Sequence, residues 1–161
     1  MYRRSLLAPL LLALAFTLSA CGKADPQAQL EAAVQKLQDN LEAKDTSAVI
    51  DQLDAGFQAQ DGLDRDWARK TMTLMFLRYA SVKVIAVTRK SSIDPTAPQS
   101  GLTQAQVLVT GAQGLIPERA EPYSVKLEWR YVSDDWSLTR LSWDGHRLDA
   151  RTLVEGGRGG R

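Results

Sequence analysis

Apolar and polar positions follow three different patterns along this chain, and each pattern predicts a different element. The first stretch has no period at all: Leu6 to Phe16 is almost uninterruptedly apolar, broken only by Pro9. Beyond it, Leu30, Ala33, Val34, Leu37 and Leu41 recur at steps of three and four with Gln, Glu, Lys and Asp between them, which predicts a helix from Pro26 to about Ala43 with one buried stripe. Asp25 followed by Pro26 reads as an N-cap and a proline at the first helical position. Asp45 or Thr46 can cap a second, shorter helix running through Leu53, with Val49, Ile50 and Leu53 inward and Phe57 packing just beyond. Gln58 to Gly62 is polar and reads as a loop. Asp64 can cap a third helix whose buried row is Trp67, Thr71, Met72, Met75, Phe76 and Tyr79. A methionine and aromatic row at helical spacing is expected to be core before it is a ligand box.

From Ser81 the period falls to two. Val82, Val84 and Ala86 alternate with Lys83, Ile85 and Val87 in a first strand, and Lys90 to Gly101, rich in Ser, Pro and Thr, reads as a loop. A second strand spans Thr103 to Thr110 through Ala105, Val107 and Val109, and Gly111 to Pro122 reads as a long turn. The third strand is the clearest: Tyr123, Val125, Leu127, Trp129 and Tyr131 form an apolar face against Ser124, Lys126, Glu128 and Arg130. Asp134-Asp135 supplies a tight reversal, and Trp136 to Trp143 returns as a fourth strand. The pattern fades past Asp144-Gly145 into Gly156-Gly157-Arg158-Gly159-Gly160-Arg161, a Gly/Arg-rich tail.

The aperiodic stretch changes the picture most. Arg3 and Arg4 precede it, Ser19-Ala20 follow it, and about a dozen apolar residues are too few for a permanent bilayer span, which needs about 20. It reads as a removable export signal. Arg3-Arg4-Ser5-Leu6-Leu7 brushes against the twin-arginine pattern but lacks its Lys or polar extension, which favours the general export route. The residues that close the stretch, Leu18-Ser19-Ala20-Cys21, include the one cysteine among 161 residues and resemble the bacterial lipobox. That resemblance implies a signal peptide over 1–20, a diacylglycerol on Cys21, palmitate or a similar acyl group on the new amino terminus, and a lipidated tether over 21–25. The plainer alternative is a secretory signal with a chance cysteine, although a lone thiol is an odd thing to export. Several acyl chains anchor stably where one is marginal. The sorting rule of such lipoproteins retains Asp-bearing chains at the inner membrane, and Gly22 stands there instead. The expected location is the periplasmic face of the outer membrane, the inner membrane being second choice.

Charge narrows the rest. Loss of residues 1–20 takes two of the 20 basic residues and none of the 19 acidic ones, so 18 against 19 leaves a formal charge of −1. Nucleic-acid binding domains are normally basic, so a nucleic acid is not an expected partner. With Cys21 acylated no thiol remains for a disulfide, and the remaining 141 residues must fold on one core, burying about two-thirds of their unfolded surface.

Three helices followed by a meander of long antiparallel strands resemble the nuclear transport factor two-like superfamily. The residues that carry the resemblance are Leu41-Glu42-Ala43-Lys44-Asp45 between the first two helices and the acidic turn leading into Trp136-Ser137-Leu138-Thr139-Arg140-Leu141. It implies an α+β, cystatin-like fold with N-terminal helices packed on a curved antiparallel four-stranded sheet, cone-like, over 26–146, followed by a flexible tail over 147–161. It also implies a pocket open at one end, used by some members for isomerase or dehydratase chemistry. The rival architecture is a generic helix-plus-meander sheet.

Candidate chemistry is thin. Proton abstraction beside a carbonyl needs a base and an oxyanion stabiliser. The one histidine, His146, follows the last strand and reads as a surface residue. Asp61, Asp64 and Asp66 lack the ligand spacing of a calcium loop, so Asp64 reads as a cap and neither a metal nor a cofactor is expected. Candidate pocket residues are Tyr123, Trp129, Tyr131 and Trp136, with Arg140 at the mouth because it shares parity with Trp136 and Leu138 if that strand runs without a bulge. The reading favoured for Arg140 over that mouth position is a snorkelling or ion-paired edge residue. The expected function is a non-catalytic, membrane-anchored module that binds an envelope protein or a small apolar ligand; the alternative is an isomerase-like or hydratase-like enzyme. A homodimer through the outer sheet face is a further expectation.

Overall fold

A computed structural model describes residues 25–112 and 117–145 of the chain. The export segment, Cys21, Gly22, His146 and the Gly/Arg tail lie outside the described residues. The elements run α1 (Pro26–Glu42), α2 (Thr46–Asp51), β1 (Leu53–Ala59), a short 3-10 turn (Gln60–Gly62), α3 (Arg65–Arg78), β2 (Ser81–Asp94), β3 (Ala97–Ala112), β4 (Pro117–Val132) and β5 (Asp135–Gly145). Helices packed on one mixed sheet make this an α+β protein. The sheet order is β1-β5-β4-β3-β2, five strands rather than the four expected.

Each helix begins where an aspartate can accept the free N–H groups of a first turn. Asp25 accepts from the Ala28 N–H at 3.2 Å, Asp45 from Ala48 at 2.9 Å and Asp64 from Trp67 at 2.9 Å. α1 then buries Leu30, Ala33, Val34 and Leu37 against the sheet, together with Ile50 of α2 and Trp129, Trp136 and Leu138 of the strands. Leu30, Ile50 and Leu138 are 0–2% exposed, and full burial of such a side chain stabilises by about 1.5–3 kcal/mol. Gln52 is buried with its amide spent: it donates to the Ala33 carbonyl at 3.2 Å and accepts from Asn40 at 2.8 Å.

β1 is the element the sequence pattern conceals. Leu53 was expected at the end of α2 and Gln58 in a loop, but Leu53–Ala59 pairs in parallel with β5, Leu53 opposite Leu138 and Ala59 opposite Leu141. The register shifts between Leu53 and Gln58, so the buried residues fall at Leu53, Phe57 and Ala59. The step of four between the first two mimics a helix.

Two expected connections are also strand. β2 continues through Asp94 and turns at Asp94-Pro95-Thr96-Ala97, where Asp94 accepts the Thr96 N–H at 2.8 Å and its hydroxyl at 2.7 Å. Ser91 and Ile93 face inward, and the Ser91 hydroxyl pairs with Thr103 Oγ1 at 2.9 Å, which lets a Ser-rich run serve as sheet. The expected long turn from Gly111 to Pro122 is shorter as well, since β4 begins at Pro117 and Gly111 pairs with Arg119.

β2 is a long edge strand, and exposed edges invite pairing with other chains. α1 lies along it and its side chains occupy the free backbone groups: Gln38 donates to the Val84 carbonyl at 2.7 Å, Glu42 accepts the Val84 N–H at 3.1 Å, and Gln27 donates to the Ser91 carbonyl at 2.9 Å.

Candidate functional site

The concave side of the sheet and the three helices enclose a cavity of about 300 Å³. Its floor is Ala105, Val107, Val125, Leu127 and Leu138, its walls are Val34 and Leu37 of α1 with Phe57 of β1, and Trp67, Ala68, Thr71 and Met72 of α3 lie across it. The row on α3 that reads as plain core is therefore also a lid. Trp67 stacks on Trp143 of β5, rings 6.0 Å apart and within 7° of parallel, which fixes the N-terminal end of that lid. Towards its C-terminal end α3 turns outward: Met75, expected inside, is 44% exposed, Leu74 67% and Leu77 81%. Lys44 ties this end down, its ammonium donating to the Phe76 and Tyr79 carbonyls at 3.1 and 3.0 Å.

The lining is aliphatic and aromatic with few polar groups. Thr103 is fully buried and its hydroxyl is shared by the Trp129 indole N–H at 3.2 Å and by Ser91. The Gln38 amide is held by the Val84 carbonyl. Arg89 reaches the rim from β2. Asp, Glu and His are not among the lining residues that the structure describes.

The side chains singled out from the sequence lie around this cavity rather than along it. Trp129 is 2% exposed and packs in the core beside Thr103. Trp136, also 2% exposed, packs in the core with Tyr131 tilted against it at 5.3 Å, and its indole N–H has no partner among the described residues. Tyr123, near the middle of β4, pairs across the sheet with Val107 on one side and Gly145 on the other. Arg140 is on the outer face and not at the mouth, where an unbulged strand would have placed it as a candidate pocket residue. The β4–β5 register shifts by one residue between the pairs Glu128–Arg140 and Trp129–Leu138, so Thr139 is an extra residue and reverses the alternation beyond Leu138. Thr139 holds the bulge by donating to the Glu128 carbonyl at 2.9 Å. Arg140 then meets Glu128 at 3.7 Å outside, while Leu141 takes the cavity position. The pairing with an acid is the reading its sequence position favoured. The cavity residues that sequence reasoning did not single out, Ala105, Val107, Val125 and Leu127, had nonetheless shown the inward parity of two strands.

The outer face carries ion pairs. Glu128 also meets Lys126 at 3.1 Å, and Asp54 of β1 meets Arg130 at 2.6 Å. The Arg130 guanidinium, helped by the Gly56 N–H, holds the Asp54 carboxyl below its ordinary range against a smaller opposing effect of burial. Glu42 is lowered in the same sense, chiefly by the Lys83 ammonium at 2.7 Å. Among the described residues no group of His, Cys, Asp and Glu could hold a metal ion, and no helix is long and apolar enough to cross a membrane.

No protein-family model and no curated protein matches the sequence. Solved structures do match in shape. A Caulobacter vibrioides protein with a cystatin-like fold superposes with a TM-score of 0.64 at 13% identity, over 82% of this chain and 97% of that one. A candidate dehydratase of the nuclear transport factor two-like family from Streptomyces avermitilis gives 0.63 at 12% identity, over 74% and 95%. Bd1075 of Bdellovibrio bacteriovorus gives 0.64 at 13%, over 74% of this chain but 41% of that one, so the chain spans about two-fifths of its length. At these identities the likeness is one of architecture, and architecture does not carry activity. The chain has the nuclear transport factor two-like, cystatin-like fold.

Proposed function

We propose that this protein is a non-catalytic binding module for a small apolar ligand, exported and held at the periplasmic face of the outer membrane by acyl groups on Cys21. The observation that carries the binding reading is the cavity itself. A closed core of this size would fill its interior with side chains at crystal-like density. Here about 300 Å³ is left between α3 and the sheet, at the lower end of the range for ligand pockets. Its aliphatic lining and the engagement of Thr103 and Gln38 by protein groups favour an apolar occupant. The anchor rests on the sequence Leu18-Ser19-Ala20-Cys21 after its apolar stretch.

A second reading, docking of an envelope protein, is favoured by the exposed apolar side chains Leu74 and Leu77 of α3 and Ile85 and Val87 of β2. Native mass spectrometry of the full chain taken from its own host separates these readings from the enzyme. A small apolar molecule should co-purify and be lost in Ala105→Phe, whose larger side chain fills the cavity. If the captured molecule were turned over, and the turnover vanished on changing a single Asp or Glu with the fold intact by circular dichroism, the isomerase-like or hydratase-like alternative would replace the binding reading.

A further inference from the structure

One cation reaches the rim of the apolar cavity, and the strand that carries it is irregular at that point. The β2–β3 register runs Val84–Val109 and Ala86–Val107, then Thr88–Gln106 and Arg89–Ala105, so Val87 is an extra residue. In a regular strand, two-residue alternation would set Thr88 next to Ala86 on the concave side and turn Arg89 outward. With the bulge Arg89 stands opposite Ala105 and lines the cavity with it. Bulges commonly re-aim a side chain in this way.

The guanidinium is held by a neutral group. Its Nη1 donates to Gln35 Oε1 at 3.1 Å, and the Gln35 amide in turn donates to Asp39 at 2.9 Å. Arg89 is exposed and makes no ion pair among the described residues. A planar fork of donors at the mouth of an apolar chamber matches a carboxylate on an alkyl chain, and a single guanidinium matches a single charge.

We infer that the cavity takes a single-chain amphipathic monocarboxylate, its chain among Leu37, Met72, Val107 and Leu127 and its head on Arg89. This rests on the binding-module reading and adds the chemical class of the ligand. A charge-assisted hydrogen bond at a partly open site should favour the acid over the corresponding alcohol by about tenfold.

The test is calorimetric titration of the full chain carrying Cys21→Ala, which keeps its own acyl groups out of the measurement, with decanoate and with decanol. The native cavity should bind decanoate about tenfold more tightly. Arg89→Gln should lower decanoate to the level of decanol and leave decanol unchanged, and Ala105→Phe should abolish both. Independently of any variant, the preference should disappear as pH is lowered through the ligand's own carboxyl pKa, about 4 to 5. Equal binding of the two ligands by the unchanged cavity, or equal weakening of both in Arg89→Gln, would overturn the carboxylate assignment while leaving the cavity as a binding site. Binding of neither would remove the binding-module reading and this inference with it.

Discussion

At the scale of single residues, neighbouring side chains on one strand do opposite work. Trp129 is 2% exposed, donates to Thr103 and packs in the core, while Glu128 on the other face meets Lys126 and Arg140 in solvent. Trp129→Ala should cost about 3–5 kcal/mol and Glu128→Ala under about 1, because exposed ion pairs contribute little. Chemical denaturation of both variants checks this, and equal losses would overturn the assignment of faces. Asp54 gives a pH dependence whose sign follows from its partner. Arg130 lowers the folded carboxyl below the unfolded value, so the pair stabilises the fold above the unfolded pKa, near 4, and that contribution is lost as pH falls through the folded value. Asp54→Asn should therefore melt below the unchanged protein at neutral pH, the gap closing in acid as the folded carboxyl takes up its proton. A gap that stayed constant with pH would show the difference to be packing rather than charge.

At the scale of elements, the bulges decide what each strand presents. With Thr139 kept in regular alternation instead of bulged, β5 would run inward through Trp136, Leu138 and Arg140, carrying a guanidinium into the cavity and Leu141 out of it. A slip of one residue exchanges every side chain between faces. Deleting Thr139 should instead remove the bulge and leave Arg140 outside and Leu141 inside, so the variant should still unfold cooperatively on heating, and loss of the cooperative transition would mean that Thr139 is not the residue that absorbs the register shift. The same device on β2 brings Arg89 to the cavity. α3 differs in kind: anchored at one end by Trp67 on Trp143 and at the other by the Lys44 ammonium, it leaves Leu74 and Leu77 exposed. The Asp64 cap and the Trp67, Thr71 and Met72 row were legible in the sequence because both are local. That the row covers a cavity was not, because the sheet beneath it comes from residues far along the chain.

At the scale of the whole molecule, the fold and the proposed anchor are separate statements with separate tests. Cys21→Ala should release the exported chain from membranes, since among the described residues no helix is long and apolar enough to hold it there. Palmitate labelling with fractionation checks this, and a variant that still took up label and pelleted with membranes would overturn the lipobox reading. Self-association through the β2 edge is disfavoured by the α1 side chains that occupy it, so light scattering of the purified chain should show no dimer that depends on that edge.

Local chemistry is readable from the sequence because its causes lie within a few residues. The three aspartate caps, the buried stripe of α1, the two faces of β4 and the Leu-Ser-Ala-Cys motif all depend on neighbours at fixed short spacing. β1 escaped because its parallel partner, β5, lies some eighty positions along the chain, as Leu53 opposite Leu138 shows. Without that partner the register shift leaves a spacing that looks helical. The cavity escaped for the same reason: Arg89 and Arg140 owe their faces to bulges at Val87 and Thr139, and an extra residue can be recognised only against the strand it fails to match. Periodicity settles which residues belong together on one strand. Only the pairing of strands decides which of those faces encloses space.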